Sequence, residues 1–153
     1  MSRIIISGLL GAALWIGAAG RGAALAEPET DMTVQAQLAA RFDPFDKAAG
    51  TGWEPAFPTP IYRKAPQGGP EAVPLSLQAG SYMIVVLCNC DSMDVSLIGP
   101  GGTKIEPIRH NDQGAMYSLD AAVAGDYLTG IDMGDCDSAK CDLAVKVYRK
   151  KKA

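Results

Sequence analysis

Four cysteines, Cys88, Cys90, Cys136 and Cys141, carry the most versatile chemistry in this 153-residue chain. Thiols can bond in pairs, hold a soft metal such as zinc or Cu(I), or exchange with other thiols. Structural zinc sites favour C-x2-4-C pairs, and an oxidising compartment competes for the thiols. A thiol oxidoreductase would present C-x-x-C at a helix start, and no such motif occurs. Two disulfides are the expectation, with three pairings open. A Cys88 to Cys90 bridge would join residues two apart on an extended strand, near the upper limit of usable Cα separation. Cys136 to Cys141 is easier across a tight turn, where it would staple a hairpin of strands 126–133 and 142–148. The reading favours cross-strand pairing, because two such bridges would each contribute roughly 2 to 4 kcal/mol.

Asp91, Asp94, Asp132, Asp135, Asp137 and Asp142 crowd the same strand ends. Asp91, Asp94, Asp135 and Asp137 are the candidate ligands for Ca²⁺, a hard cation that takes six to eight oxygens. The plain alternative is a solvated acidic rim. No EF-hand pattern can be laid on Met133-Gly134-Asp135-Cys136-Asp137-Ser138. His110 is the sole histidine, and a general base needs a nucleophile that no G-x-S-x-G elbow supplies. Paired carboxylates for glycoside hydrolysis could come only from the aspartate cluster, whose separations the sequence does not reveal. The chain therefore reads as non-enzymatic, with no catalytic residue and no cofactor beyond Ca²⁺.

The compartment follows from the first residues. Arg3 gives a short positive region, Ile4 to Ala19 form an uncharged apolar stretch, and Ala24-Leu25-Ala26 fits a small-x-small cleavage site. The apolar stretch is shorter than the roughly 20 residues that span a bilayer. Residues 1–26 are thus expected to be a signal peptide, and no transmembrane anchor survives cleavage. Arg21 leaves an earlier cut, near Ala19, open. No cysteine stands near position 26 and no Arg-Arg pair occurs, so neither a lipoprotein anchor nor twin-arginine export is indicated. A periplasmic or secreted protein is expected.

Loss of Arg3 and Arg21 leaves 12 basic against 17 acidic side chains, a net charge of −5, which disfavours a nucleic-acid partner. The basic residues are uneven, and Arg149 to Lys152 form a run in an expected tail, 149–153. Such a tail is usually solvated, although it could touch anionic head groups.

The elements follow from pattern. Met32, Val34, Leu38 and Phe42 recur near a 3.6 period, which predicts a helix from Thr30 to Phe42 in an N-terminal segment 27–49. Thr30 or Asp31 caps it and Asp43-Pro44 stops it. Residues 50–72, dense in proline and glycine, predict an extended connector. Trp53, Phe57 and Tyr62 lie in it; they are expected to be strapped onto the domain, and an exposed recognition strip is the alternative. From 73 to 148 short β runs alternate with glycine turns, with strands at about 73–77, 82–89, 93–98, 103–108, 115–119, 126–133 and 142–148. Tyr82 to Cys88 is apolar on both faces and should be a central strand. Pro100-Gly101-Gly102 turns residues 93–108 into a hairpin. The fold class is mainly β: an antiparallel, jelly-roll-like sandwich with a short N-terminal helix.

Gln78-Ala79-Gly80-Ser81-Tyr82 and Val123-Ala124-Gly125-Asp126-Tyr127 repeat one theme, a glycine turn before a strand-opening tyrosine. With Cys90-Asp91-Ser92-Met93-Asp94-Val95-Ser96-Leu97 and Gly101, they make residues 71–148 resemble the bacterial prepeptidase C-terminal domain, a β-sandwich. Asp91 and Asp94 are three apart where that family has two, and four cysteines are added. The resemblance implies an accessory domain of a secreted protein, some of whose relatives resemble carbohydrate- or matrix-binding modules and some of which hold calcium. The expected function is a binding or structural module of the cell envelope, its partner an envelope protein or glycan. The alternatives are a Ca²⁺-stabilised carbohydrate- or peptide-binding domain and a small secreted hydrolase.

Overall fold

The computed structural model describes residues 27–136 and 138–152, with side chains from Val34 onward. The expected signal peptide, the side chain of Met32 and Asp137 lie outside the described residues; α1 starts at Glu27, three residues before Thr30, so the expected Thr30 or Asp31 cap falls inside the helix instead of at its start. Two helices open the described chain, α1 (Glu27–Ala40) and α2 (Asp43–Ala49). α1 ends at Ala40, two residues short of the expected Phe42, and Asp43-Pro44, expected only to stop a helix, starts α2: proline at the first helical positions loses no hydrogen bond there. Among the described residues no helix is long and apolar enough to cross a membrane.

Ten strands follow, in two antiparallel sheets. They are β1 (Trp53–Pro55), β2 (Ile61–Pro66), β3 (Pro70–Leu77), β4 (Gly80–Cys88), β5 (Met93–Ile98), β6 (Lys104–Ile105), β7 (Arg109–Asn111), β8 (Gly114–Ala121), β9 (Gly125–Met133) and β10 (Lys140–Lys150). The first sheet has the order β1-β10-β4-β8-β7, with β2 also against β10; the second is β3-β9-β5-β6. The fold is therefore a mainly β antiparallel sandwich. Strands alternate their side chains between faces, and the inward sets from both sheets interleave in one core: Val73, Leu75, Leu97 and Ile131 from one, Ile84, Val86, Tyr117, Leu143 and Val145 from the other.

β4 is apolar on its other face as well, for a reason outside the strand. Val85, Leu87, Ala144 and Tyr148 on the outside of the first sheet are buried beneath Leu38, Phe42 and Ala49. Two ties hold this helical cover. Asp46 of α2 accepts from Tyr148 Oη at 2.8 Å and pairs with Lys146 Nζ at 2.6 Å. The Arg41 guanidinium donates to the carbonyls of Cys88 at 2.5 Å and Gln113 at 3.2 Å. Burial lowers the pKa of that guanidinium.

The connector is more regular than its composition suggests. Ile61 to Pro66 form β2, which pairs with Lys140 to Val145, and Trp53 to Pro55 form β1, opposite Tyr148 to Lys150. The prolines are tolerated because both strands use only one edge. Arg149 and Lys150 likewise end β10, and Lys151 N–H donates to Gly52 O at 2.9 Å, so the basic run starts from a fixed strand. Pro100-Gly101-Gly102 turns β5 into β6 as expected. β9 and β10, expected to form a hairpin, lie in different sheets.

Candidate functional site

The ends of β4 and β9 and the starts of β5 and β10 meet at one end of the sandwich, where the cysteines and most aspartates gather. The disulfides are Cys88–Cys90 and Cys136–Cys141, with Cα separations of 5.3 and 5.6 Å. This corrects the preference for cross-strand pairs. β4 stops at Cys88, and the chain turns at Asn89, which brings Cys90 back within ordinary disulfide range. Asn89 is pinned in that turn: its N–H donates to Asp142 O at 3.1 Å, and its side-chain oxygen accepts from Asp142 N–H at 2.7 Å. Cys136–Cys141 spans the crossover from β9 in one sheet to β10 in the other, so it staples a crossover and not a hairpin. Cys90 and Cys136 face each other as an isolated antiparallel bridge.

The aspartates divide. Asp91 N–H donates to Asp135 O at 2.8 Å, and Asp135 Oδ1 accepts from Gln67 Nε2 at 3.0 Å. Asp94 stands directly opposite Asp132 across β5 and β9. Those two, with Asp112, His110 and Ser92, line an open cleft of about 290 Å³. His110 Nε2 lies 2.8 Å from Met93 O, which fixes the proton on that nitrogen in the neutral ring and leaves Nδ1 as an acceptor. Asp137 lies outside the described residues. Among the described residues, no three His, Cys, Asp or Glu side chains converge closely enough to hold a metal ion. Asp91, Asp94 and Asp135 thus share one end of the fold without converging on one point.

Trp53 and Tyr62 are half-buried against the cluster under the helices, and Phe57 against the sandwich core. The face that is left open belongs instead to the second sheet. Helices cover the outside of the first sheet, whereas β9 and β5 expose Leu128, 42% accessible, directly opposite Ile98, 36% accessible. Pro74 flanks Leu128 on the other side. One row along, Ala72, Gly130 and Ser96 lie abreast, and a Cβ on Gly130 would come within 2.8 Å of Ser96 Oγ. The row beyond is Pro70, Asp132 and Asp94. The face therefore grades from apolar, through small, to acidic. Sequence reading passed over Ile98 and Leu128; strand parity places them on one side with Asp94 and Asp132, but not which side the helices cover.

No protein-family model matches the chain, and no curated protein is similar to it.

Proposed function

We propose that the chain is an exported, non-enzymatic β-sandwich that serves as a binding or structural module of the cell envelope, engaging an envelope protein or glycan through the open face of its second sheet. The observation that carries this reading is the unequal cover of the two sheets. One has its outer apolar side chains buried by helices, and the other offers Leu128 and Ile98 side by side to solvent. Paired apolar side chains bordered by small and acidic residues suit a surface that buries against a partner. The two disulfides support an oxidising compartment, periplasmic or secreted. The resemblance to prepeptidase C-terminal domains points the same way.

The test is capture from envelope extract by wild type, Leu128→Asp, and Val123→Asp as a control on an exposed turn. A partner kept by wild type and the control but lost with Leu128→Asp supports the reading. A partner kept equally by all three overturns it.

A Ca²⁺-stabilised binding domain is the second reading, favoured by Asp94 opposite Asp132. Like charges directly across a strand pair cost stability, which a divalent cation would relieve. A melting temperature raised by millimolar calcium and returned by chelator supports it; indifference to both overturns it.

A further inference from the structure

β10 joins two ends of opposite charge. Its start lies at the end of the sandwich where the aspartates gather, and its other end is Arg149 and Lys150, followed by Lys151 and Lys152. A strand of 11 residues holds those ends about 33 Å apart. Exposed charges farther apart than a Debye length, about 8 Å at physiological ionic strength, act independently. The acidic end therefore does not cancel the basic one. The basic run is also held in place through Lys151. Arg149 lies opposite Glu54 on one side and Tyr82 on the other, and its Nη2 donates to Ala79 O at 3.4 Å. Lys150 lies opposite Trp53, and Lys151 N–H donates to Gly52 O at 2.9 Å. All three lysines are exposed, and with Arg149 and Glu54 they line an open groove of about 430 Å³. Four cations thus surround one carboxylate. Asp120, opposite Ser81 on β8, stands two strands from β10, about 10 Å away. Asp126, on the other sheet, accepts from Ser76 Oγ at 2.6 Å.

We propose that this end is a docking surface for anionic phospholipid head groups, on which the sandwich stands by the end of β10 with its aspartates held away from the bilayer. The shape of the groove favours a surface over a single anion. It is open, and its lysines are exposed, so one phosphate would be left largely in water; a plane of phosphates meets all four cations at once. Lysine suits such a partner, because a compact charge on a flexible stem needs no fixed geometry at the phosphate. The attraction of each cation to the negative surface potential adds to the next. The reverse orientation would press Asp91, Asp94, Asp132 and Asp135 against like charge. A nucleic acid fits less well, since acidic side chains outnumber basic ones in the chain as a whole. The proposal uses only the charges of this end and does not rest on the open face of the second sheet.

Vesicle sedimentation tests this. The chain is mixed with vesicles of phosphatidylcholine alone or with phosphatidylglycerol added, and the neutral vesicles subtract whatever the apolar residues 4–19 contribute. Wild type is expected to partition onto the anionic vesicles in excess of the neutral ones, and that excess should vanish at high salt. Lys150→Gln/Lys151→Gln/Lys152→Gln should lower it by about fivefold for each cation removed, about 100-fold in all. Lys104→Gln/Arg109→Gln/Lys140→Gln makes the same change of charge at exposed positions elsewhere and should keep most of the excess. No excess for wild type, an equal loss in both triple variants, or an excess that survives high salt overturns the proposal. Displacement by inorganic phosphate at matched ionic strength also overturns it, in favour of a site for a single anion, as does retention on immobilised DNA without binding to the vesicles. Should the first triple variant not fold by circular dichroism, the salt and phosphate arms on wild type decide.

Discussion

Tyr148 and Asp46, 102 residues apart in the chain, meet where the helical cover touches the sheet: the phenol donates to the carboxylate at 2.8 Å. Lys146 Nζ completes the group, within 2.7 Å of both carboxylate oxygens and 5.5 Å from the Phe42 ring centre. A buried aromatic, a half-buried cation and a helix are thus tied through one side chain. Replacing Asp46 with alanine should cost about 1 to 2 kcal/mol, since hydrogen bonds to charged groups are worth more than neutral ones but this carboxylate is partly solvated. Asp46→Asn should cost less, because its amide oxygen still accepts from Tyr148. Urea unfolding of the two variants measures the difference.

A second expectation concerns alkaline pH. Burial, with the nearby charge of Glu106, holds the Tyr117 phenol up at about 12 against an ordinary value of 10. Burial, and then the hydrogen bond to and the charge of Asp46, raises Tyr148 as well. Both groups hold their protons more tightly in the folded state. Their contribution is complete below pH 10 and is lost as pH climbs from 10 toward 12, because the unfolded chain ionises first. Each contributes at most about 1.4 kcal/mol per pH unit in that window. Stability should be flat through neutral pH and fall steeply above 10, and Tyr117→Phe should make the fall shallower. Urea midpoints across pH 8 to 11.5 check this.

Thr129 lies in the core on β9 with a hydroxyl that has no hydrogen-bond partner. Its neighbours across the strands are Val73 and Leu97. Thr129→Val keeps the shape and removes a buried polar atom, so it should stabilise by about 1 kcal/mol. A lower urea midpoint would mean the hydroxyl is satisfied in solution.

Gly125 opens β9 where Pro100 of the β5–β6 turn crosses it. A Cβ there would lie 2.6 Å from Pro100 Cγ, part of a ring that cannot swing aside. Gly125→Ala should destabilise by about 1 to 3 kcal/mol. Gly52, with nothing within 4 Å of its Cβ position, is the control, and Gly52→Ala should leave the melting temperature nearly unchanged.

The sandwich was legible in the sequence because alternation marks strands wherever one face is wet. Tyr82 to Cys88 also read correctly as central, although the cause, Leu38 and Phe42 arriving from α1 and its end, is a tertiary contact that no local pattern encodes. The errors share that origin. Adjacent strands such as β9 and β10 look like a hairpin until their inward faces are assigned to opposite sheets. β2 hides between Pro60 and Pro66 because a strand paired along one edge tolerates neighbours that a central strand does not. The disulfide pairing turned on the bend at Asn89, where one residue decides whether Cys88 and Cys90 are too far apart or well placed. The candidate surface was least legible of all. Ile98 and Leu128 are ordinary strand residues, and their exposure depends on which sheet the helices chose.

Both sheets join an early segment to a late one: residues 70–77 lie against 125–132, and 82–88 against 143–149. The second sheet cannot close before β9 exists, nor the first before β10, which places this chain among topologies that fold slowly. During synthesis β3 therefore waits for β9, and β4 for β10, and until each partner arrives an unpaired edge is open to other chains.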